Sequence, residues 1–220
     1  MKHLVEDLLR TWRAPRAVLA DQFARGLGEE RLLAYLLGAC LLFFIATLPG
    51  AAEDAALQGL DSATPVVGAR LFGFFFVAPL LLYGVAALVH LVARALGAKG
   101  SYFRARAAFF WSLFALAPLT LVLGALSTLL APVVGEVIGY LLLAAFLLLW
   151  SQTMAEAEEI DDWRPVALTL GVLTAGLFAL GYVAIDGAGL SAGLALTVGR
   201  NRPRRLAALD GRASDPHLQR

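Results

Sequence analysis

The stretch RAAFFWSLFALAPLTLVLGALSTLLAPVVGE, residues 106–136, decides the fold class of this chain. Arg106 and Glu136 bound it, and the 29 residues between them carry no formal charge. An α-helix rises 1.5 Å per residue, so about 20 residues cross a hydrocarbon core of roughly 30 Å. The stretch can therefore cross a membrane as a helix and still leave residues for a turn near Pro132 and Gly135.

Four further stretches are equally free of charge. They hold 19 to 23 residues each and lie between Arg31 and Glu53, Arg70 and Arg94, Glu136 and Glu156, and Arg164 and Asp186. Together the five stretches predict transmembrane helices near residues 32–51, 71–93, 107–130, 137–154 and 166–185. The alternation of polar and apolar residues that marks a membrane β-barrel is absent from the sequence. We predict an all-α fold, a polytopic membrane bundle of five transmembrane helices.

The composition supports this class. Hydrophobic residues make up 60% of the 220 residues and charged residues 16%, whereas soluble domains have roughly 45–50% and about 25%. The single cysteine, Cys40, excludes an intramolecular disulfide and a CxxC metal site. Tryptophan prefers the membrane interface, and the ends of predicted helices carry Trp111, Trp150 and Trp163. We therefore predict that these three indole rings lie in the interface.

The distribution of Lys and Arg predicts the orientation of the helices. Residues 1–31 carry six basic residues and residues 94–106 carry four, whereas residues 52–69 carry none. Short basic segments are retained on the cytoplasmic side of a membrane. We therefore predict a multi-pass protein of the bacterial inner membrane whose N-terminus and 94–106 segment face the cytoplasm.

Five crossings from a cytoplasmic start leave the Arg-rich C-terminal tail, residues 188–220, outside. The preceding uncharged segment, residues 187–199, measures about 20 Å as a helix, which is too short to cross alone. It could re-enter the membrane or, if the bilayer thins, cross it and return the tail to the inside. The sequence leaves that alternative open, and we predict five helices with an external, flexible tail.

Residues 1–30 form an amphipathic, basic N-terminal segment. Leu4, Leu8 and Trp12 recur at helical spacing and predict an apolar stripe, and Pro15 is suited to open a second short helix. The arginines around them suit an anionic inner leaflet, although the two helices could equally pack on the cytoplasmic ends of the bundle. With the second basic segment included, the predicted membrane-surface or partner contacts are Trp12, Arg13, Arg16, Lys99, Arg104 and Arg106.

The sequence offers no candidate catalytic, cofactor or metal site. The interiors of the five predicted helices contain no Asp, Glu, Lys or Arg, one of which usually marks an ion pathway. His90 lies within a turn of Arg94 and has no carboxylate nearby in sequence, so we predict an interfacial side chain without a site role. The acid-rich residues 154–165 lack the glycine of a calcium-binding loop. We predict that they form a solvated loop, which could attract Arg104 and Arg106.

Small residues recur every four positions along the fifth predicted helix, at Gly171, Ala175 and Ala179. This spacing lets two membrane helices approach each other closely. We predict a helix-packing face, and its partner could be a helix of the same bundle or a second copy of the chain.

Two segments carry a family resemblance: APRAVLADQFARGLGEERLLAYLLGACLLF, residues 14–43, and GAKGSYFRARAAFFWSLFALAPLTLV, residues 97–122. The first has a proline–arginine helix start, and the second has a glycine-containing basic loop before a helix with an interior proline. The residues concerned are Pro15, Arg16, Gly97, Gly100, Ser101, Phe103, Arg104 and Pro118. In these features the chain resembles the Yip (Ypt-interacting protein) family in its bacterial branch.

The resemblance implies a five-helix bundle with a cytoplasmic N-terminus. For eukaryotic members it also implies association with small GTPases and vesicle trafficking. The aspartate-leucine-tyrosine-glycine motif of those members is absent from this chain.

The predicted organisation has three parts: the N-terminal segment (1–30), a Yip-like five-helix transmembrane domain (31–187) and the tail (188–220). The predicted function is that of a non-enzymatic integral membrane protein that organises membrane or partner proteins from its cytoplasmic face. Its predicted partners are the lipid bilayer and other membrane proteins or further copies of itself, without nucleic acid, cofactor or metal. The alternatives are a small transporter or channel subunit for a hydrophobic or lipid substrate and, third, a membrane-embedded enzyme.

Overall fold

The computed structural model describes residues 2–127, 130 and 132–176. The chain divides into two units, Met1–Gly171 and Val172–Arg220, and the architecture below is that of the first. No strand occurs among the described residues, whose regular structure is helical. The all-α prediction is therefore confirmed for this part of the chain.

The described helices follow one another with short connections. Before residue 160 they are α1 (Lys2–Thr11), α2 (Pro15–Ala24), α3 (Glu29–Thr47), α4 (Ala51–Leu57), α5 (Thr64–Phe72), α6 (Ala78–Ala95), α7 (Tyr102–Ser127) and α8 (Pro132–Ala157). A 3₁₀ turn, Leu48–Gly50, joins α3 to α4, and a π-helical turn, Gly73–Val77, joins α5 to α6. Residues 164–176 are helical as well.

Four helical stretches in the described part of the chain are long and apolar enough to cross a membrane: Glu29–Leu57, Thr64–Ala95, Tyr102–Leu126 and Val133–Ala157. Their mean hydropathy lies between 2.0 and 2.3. Four of the predicted crossings are thus present as apolar helices of spanning length. The fifth, 166–185, starts within the helical residues 164–176, and its remainder lies outside the described residues, as do Ala179, the 187–199 segment and the tail.

Helices α3 and α7 begin before the uncharged stretches that predicted them, so each includes charged residues near its N-terminus. In α3 the first turn contains Glu29 and Glu30, where acidic side chains complement the positive end of the helix dipole. Helix α7 begins at Tyr102, so Arg104 and Arg106 lie in its opening turns and not in a loop. The connection between α6 and α7 is therefore only residues 96–101.

Apolar side chains cover both faces of α3. One face buries Leu32, Leu36, Ala39 and Cys40, while the other exposes Leu33, Leu37, Leu41 and Ile45. A helix on the surface of a soluble protein carries polar residues on its outer face. An outer face that is also apolar is the pattern expected where lipid, not water, surrounds the helix.

Helix α7 occupies the centre of the bundle and packs against α3, α6 and α8. Phe110 and Trp111 are completely buried, and the ring of Phe114 stacks on Tyr35 of α3 with centroids 5.4 Å apart. Gly38 permits this approach, because a Cβ there would lie only 2.8 Å from the Phe114 ring. The close contact between α3 and α7 therefore depends on the absence of a side chain at residue 38.

The two N-terminal helices lie at one end of the bundle, where α3 and α7 begin and α6 and α8 end; we call this the basal end. Helix α2 packs against α8 and buries Val18 and Leu19 completely. Helix α1 is joined to α7 by a buried hydrogen bond, in which Trp111 Nε1 donates to Thr11 Oγ1 at 3.1 Å. Of the two arrangements that the sequence left open, α2 adopts packing on the bundle.

Two of the tryptophans predicted to lie in the interface, Trp111 and Trp150, are buried within the protein. Trp111 is fully buried and Trp150 is 4% exposed, and the Trp150 ring packs on Phe109 with centroids 4.5 Å apart. Both side chains therefore lie in the protein interior.

Candidate functional site

A buried carboxylate lies at the centre of the basal end. Glu158, directly after α8, is completely buried, and its Oε1 lies 2.6 Å from Nδ1 of His90 in α6. An ionised carboxylate is expensive to bury unless a partner offsets the loss of hydration. The short contact requires a proton between the two atoms, so the pair joins the end of α6 to the end of α8.

The connection between α6 and α7 lies directly on this carboxylate. A Cβ at Gly100 would meet the Ala157 carbonyl oxygen at 2.3 Å and Glu158 Oε2 at 2.7 Å, so only glycine fits there. Lys99 N–H donates to the Glu158 carbonyl at 3.3 Å. Gly97 turns the chain with φ of +94°, a conformation that glycine adopts without steric cost. The two glycines thus let the backbone cover Glu158.

The second carboxylate oxygen of this residue, Glu158 Oε2, has no hydrogen-bond partner among the described residues. A buried acceptor without a donor costs about 1–3 kcal/mol. The loop that excludes water from Glu158 therefore leaves His90 as the principal compensating group for this side chain.

Arg104 connects three elements around the acidic segment. Its guanidinium donates to the Glu159 carboxylate at 2.6 Å and to the Glu156 carbonyl at 3.2 Å. It also lies over the Phe23 ring of α2, 4.9 Å from the centroid. The proposed attraction between the acidic segment and the basic segment is thus observed for Arg104.

Arg16 makes a similar set of contacts from α2. It donates to the Glu156 carboxylate at 3.3 Å and to the carbonyls of Ile160 and Asp161 at 3.1 and 2.8 Å. A planar guanidinium with five donors suits such multiple contacts better than a lysine ammonium would. Arg16 therefore fixes α2 on the segment that follows α8.

Arg106 takes a different acidic partner from the one suggested by the sequence. It donates to Glu29 of α3 at 2.5 Å and lies over the Tyr102 ring at 4.7 Å. The side chain is only 13% exposed, so the acid and the aromatic ring replace most of its water. This contact joins the start of α3 to the start of α7.

The predicted contact residues therefore fall into two groups. Arg16, Arg104 and Arg106 are bound to acids of the same chain. Trp12, Arg13 and Lys99 are exposed, and in the described part of the chain the side chains of Arg13 and Lys99 have no acidic partner. The structure thus brings Arg16 and Arg104 into the network around Glu158, places Arg106 on Glu29 of α3, and leaves the second group on the surface.

Of the small-residue face on the fifth predicted helix, Gly171 and Ala175 lie in the described helical residues. A Cβ at Gly171 would meet nothing within 4 Å, so no described residue packs closely on that position. A partner helix for this face stays a prediction.

Sequence reasoning missed the pairing of His90 with Glu158. No carboxylate lies near His90 in sequence, as noted above, but the fold brings one to it from 68 residues away in the chain. The prediction of a solvated acidic loop is wrong for Glu158, although Glu159, Asp161 and Asp162 are exposed. The available signal was the pair of glycines, Gly97 and Gly100, in the connection between α6 and α7. Such glycines indicate that the backbone passes close to another group, but they do not identify that group.

An open groove lies beside this pair on α6 and the start of α7. Its volume is about 750 Å³, and its lining is formed by Ala87, His90, Leu91, Arg94, Ala95 and Tyr102. No three His, Cys, Asp or Glu residues in the described part come together as potential metal ligands. The groove combines an imidazole and a guanidinium with an apolar wall.

The chain matches a known family of membrane proteins. The Yip1 domain matches residues 9–185. This range begins in α1 and includes the connection between α6 and α7 and the acid-rich residues 154–165. The chain is therefore a member of the Yip family, a family of non-enzymatic membrane proteins. No curated protein and no solved structure matches the chain.

Neighbouring acids provide a matched test of the buried pair. We expect Glu158→Gln to lower the free energy of unfolding by about 1–3 kcal/mol, because it weakens a buried charge-assisted hydrogen bond. Glu159→Gln, which removes a half-exposed ion pair with Arg104, should cost less than about 1 kcal/mol. Unfolding of both variants in mixed micelles, followed by tryptophan fluorescence, measures the difference. Equal losses would contradict the assignment of Glu158 as the buried anchor.

Proposed function

We propose that this chain is a non-enzymatic, Yip-type integral membrane protein that organises membrane or partner proteins from its cytoplasmic face. The observation that carries the proposal is an outward apolar face on α1. Val5, Leu9 and Trp12 are exposed by 60%, 70% and 43%. Val5 and Leu9 are spaced i and i+4 and share one side of α1, and Trp12 directly follows the last residue of the helix.

The rest of α1 is held by specific contacts. Asp7 is buried and accepts a 2.5 Å hydrogen bond from Arg25, Arg10 pairs with Asp21 at 2.6 Å, and Thr11 is bound to Trp111. Since these contacts fix the helix on α2 and α7, the exposed apolar face is presented in a set orientation. Binding through such a face loses little conformational entropy.

The chemistry of this face suits a lipid interface or the apolar surface of another membrane protein. Burying a side chain such as Leu9 contributes roughly 1.5–3 kcal/mol. Arg13, at the end of the helix, adds about 1 kcal/mol on an anionic leaflet. Lys99 carries a further exposed charge at the same end of the bundle. The basic residues of 1–31 and of 94–106 therefore both contribute to the proposed cytoplasmic surface.

Photocrosslinking in native membranes tests the proposed role of α1. A photoreactive residue in place of Leu9 should crosslink strongly to lipid or to a defined partner protein. The same residue in place of Ala17, which is exposed on α2, should crosslink at a background level. Equal yields from the two positions, in chains of equal abundance, would contradict the proposal that α1 is the organising surface.

We further propose five crossings in the bacterial inner membrane, with the N-terminus in the cytoplasm and the tail outside. The charge distribution supports this orientation, because the basal end carries both basic segments. At the other end Arg70 donates to the Asp54 carboxylate and the Thr47 carbonyl, so its charge is offset locally. The Yip1 match to residue 185 supports a fifth crossing.

Cysteine accessibility tests this topology. In a Cys40→Ala background, Ser214→Cys should react with a membrane-impermeant maleimide in intact spheroplasts, because the tail is outside. Ala98→Cys in the same background is the control and should react only after the membrane is opened. Reaction of residue 214 only after opening would contradict the five-crossing arrangement.

A further inference from the structure

The groove on α6 is arranged along one side of a helix. Ala87, His90, Leu91, Arg94 and Ala95 occupy positions i, i+3, i+4, i+7 and i+8, and side chains at this spacing share a helix face. These residues lie in the last half of α6, with Ala87 farthest from the helix end and Arg94 in the last turn. The groove therefore runs from an apolar region to a cationic end.

The cationic end has an unused charge. Six arginines of the described part are paired with acids of the chain, whereas Arg94 is exposed and has no acidic partner among the described residues. An arginine at this position offers two parallel N–H donors, which match the geometry of a phosphate group. An external anion would thus supply the acidic partner that Arg94 lacks among the described residues.

His90 supplies a second donor to the same groove. Its Nδ1 is held by Glu158 at 2.6 Å, which fixes the orientation of the ring. The other nitrogen, Nε2, has no partner among the described residues, and the imidazole lines the groove. With Nδ1 engaged by Glu158, a hydrogen carried on Nε2 would be available to donate to an oxygen anion in the groove.

The wall of the groove favours an acyl chain over water. Leu91 is 67% exposed and Ala87 is exposed beside it, in a helix whose mean hydropathy suits a membrane. A soluble phosphate would leave this wall uncovered. A glycerophospholipid would place its chain on Ala87 and Leu91 and its phosphate at Arg94 and His90.

We propose that the groove between α6 and the start of α7 binds an anionic phospholipid, with Arg94 and His90 donating to its phosphate. This site is separate from the apolar face of α1, and the inference does not rest on the proposed function. The proposed ligand is a negatively charged diacyl lipid in the leaflet at the basal end. A basic pocket between membrane helices is a common arrangement for such headgroups.

Native mass spectrometry of the purified full-length chain in a neutral detergent tests the proposal. Dioleoyl phosphatidylglycerol should bind more tightly than dioleoyl phosphatidylcholine, which has the same acyl chains. Arg94→Gln should weaken binding of the anionic lipid about five- to tenfold, since it removes the unpaired cation. His90→Gln should also weaken it, and a melting temperature recorded for each variant confirms that the chain is folded.

Arg31→Gln is the matched control, because Arg31 is exposed at the same end of the bundle and does not line the groove. It should change the affinity for the anionic lipid less than about twofold. A tenfold change in affinity corresponds to about 1.4 kcal/mol. Equal effects of Arg31→Gln and Arg94→Gln, or equal binding of the two lipids, would overturn the site. Displacement of the lipid by glycerol phosphate at similar concentration would assign the groove to soluble phosphates and overturn the lipid assignment.

Discussion

The need to neutralise one buried carboxylate organises the basal end of this protein. Glu158 has no exposed surface, and its carboxyl Oε1 is hydrogen-bonded to Nδ1 of His90 at 2.6 Å. The loss of hydration of an isolated charge far exceeds the value of an ordinary hydrogen bond. The ends of α6 and α8 must therefore meet, and the backbone at Gly100 must pass close enough to exclude water.

The arginine contacts extend this constraint to the other helices. Arg104 and Arg16 bind the segment that surrounds Glu158, and Arg16 brings α2 with it. Each partly exposed ion pair contributes little by itself; several that share one acidic segment fix its path. The fixed end then presents two surfaces that face outward, the apolar side of α1 and the groove beside Arg94. In this way basic residues serve two roles, internal connection and external binding.

The sequence predicted the four apolar helices of spanning length because exclusion of charge from lipid is a property of continuous stretches. It could not predict that Arg104 and Arg106 lie inside α7, since their acids, Glu159 and Glu29, come from distant parts of the chain. The partner of His90 could not be predicted for the same reason, because Glu158 is distant in the sequence. The roles of Arg16 and Trp12 could not be separated either, because the side of α1 or α2 that packs on the bundle is decided by tertiary contacts. Local pattern identified which residues lie at the basal end and left their partners open.

A double-mutant cycle between His90 and Glu158 tests the central claim most directly. The free energies of unfolding of His90→Gln, Glu158→Gln and the double variant are compared with that of the parent chain. We predict that the second substitution costs much less in the presence of the first, with a coupling energy of about 1–3 kcal/mol, as expected for directly bonded residues. Additive effects of the two substitutions would show that the residues act independently and would contradict the account.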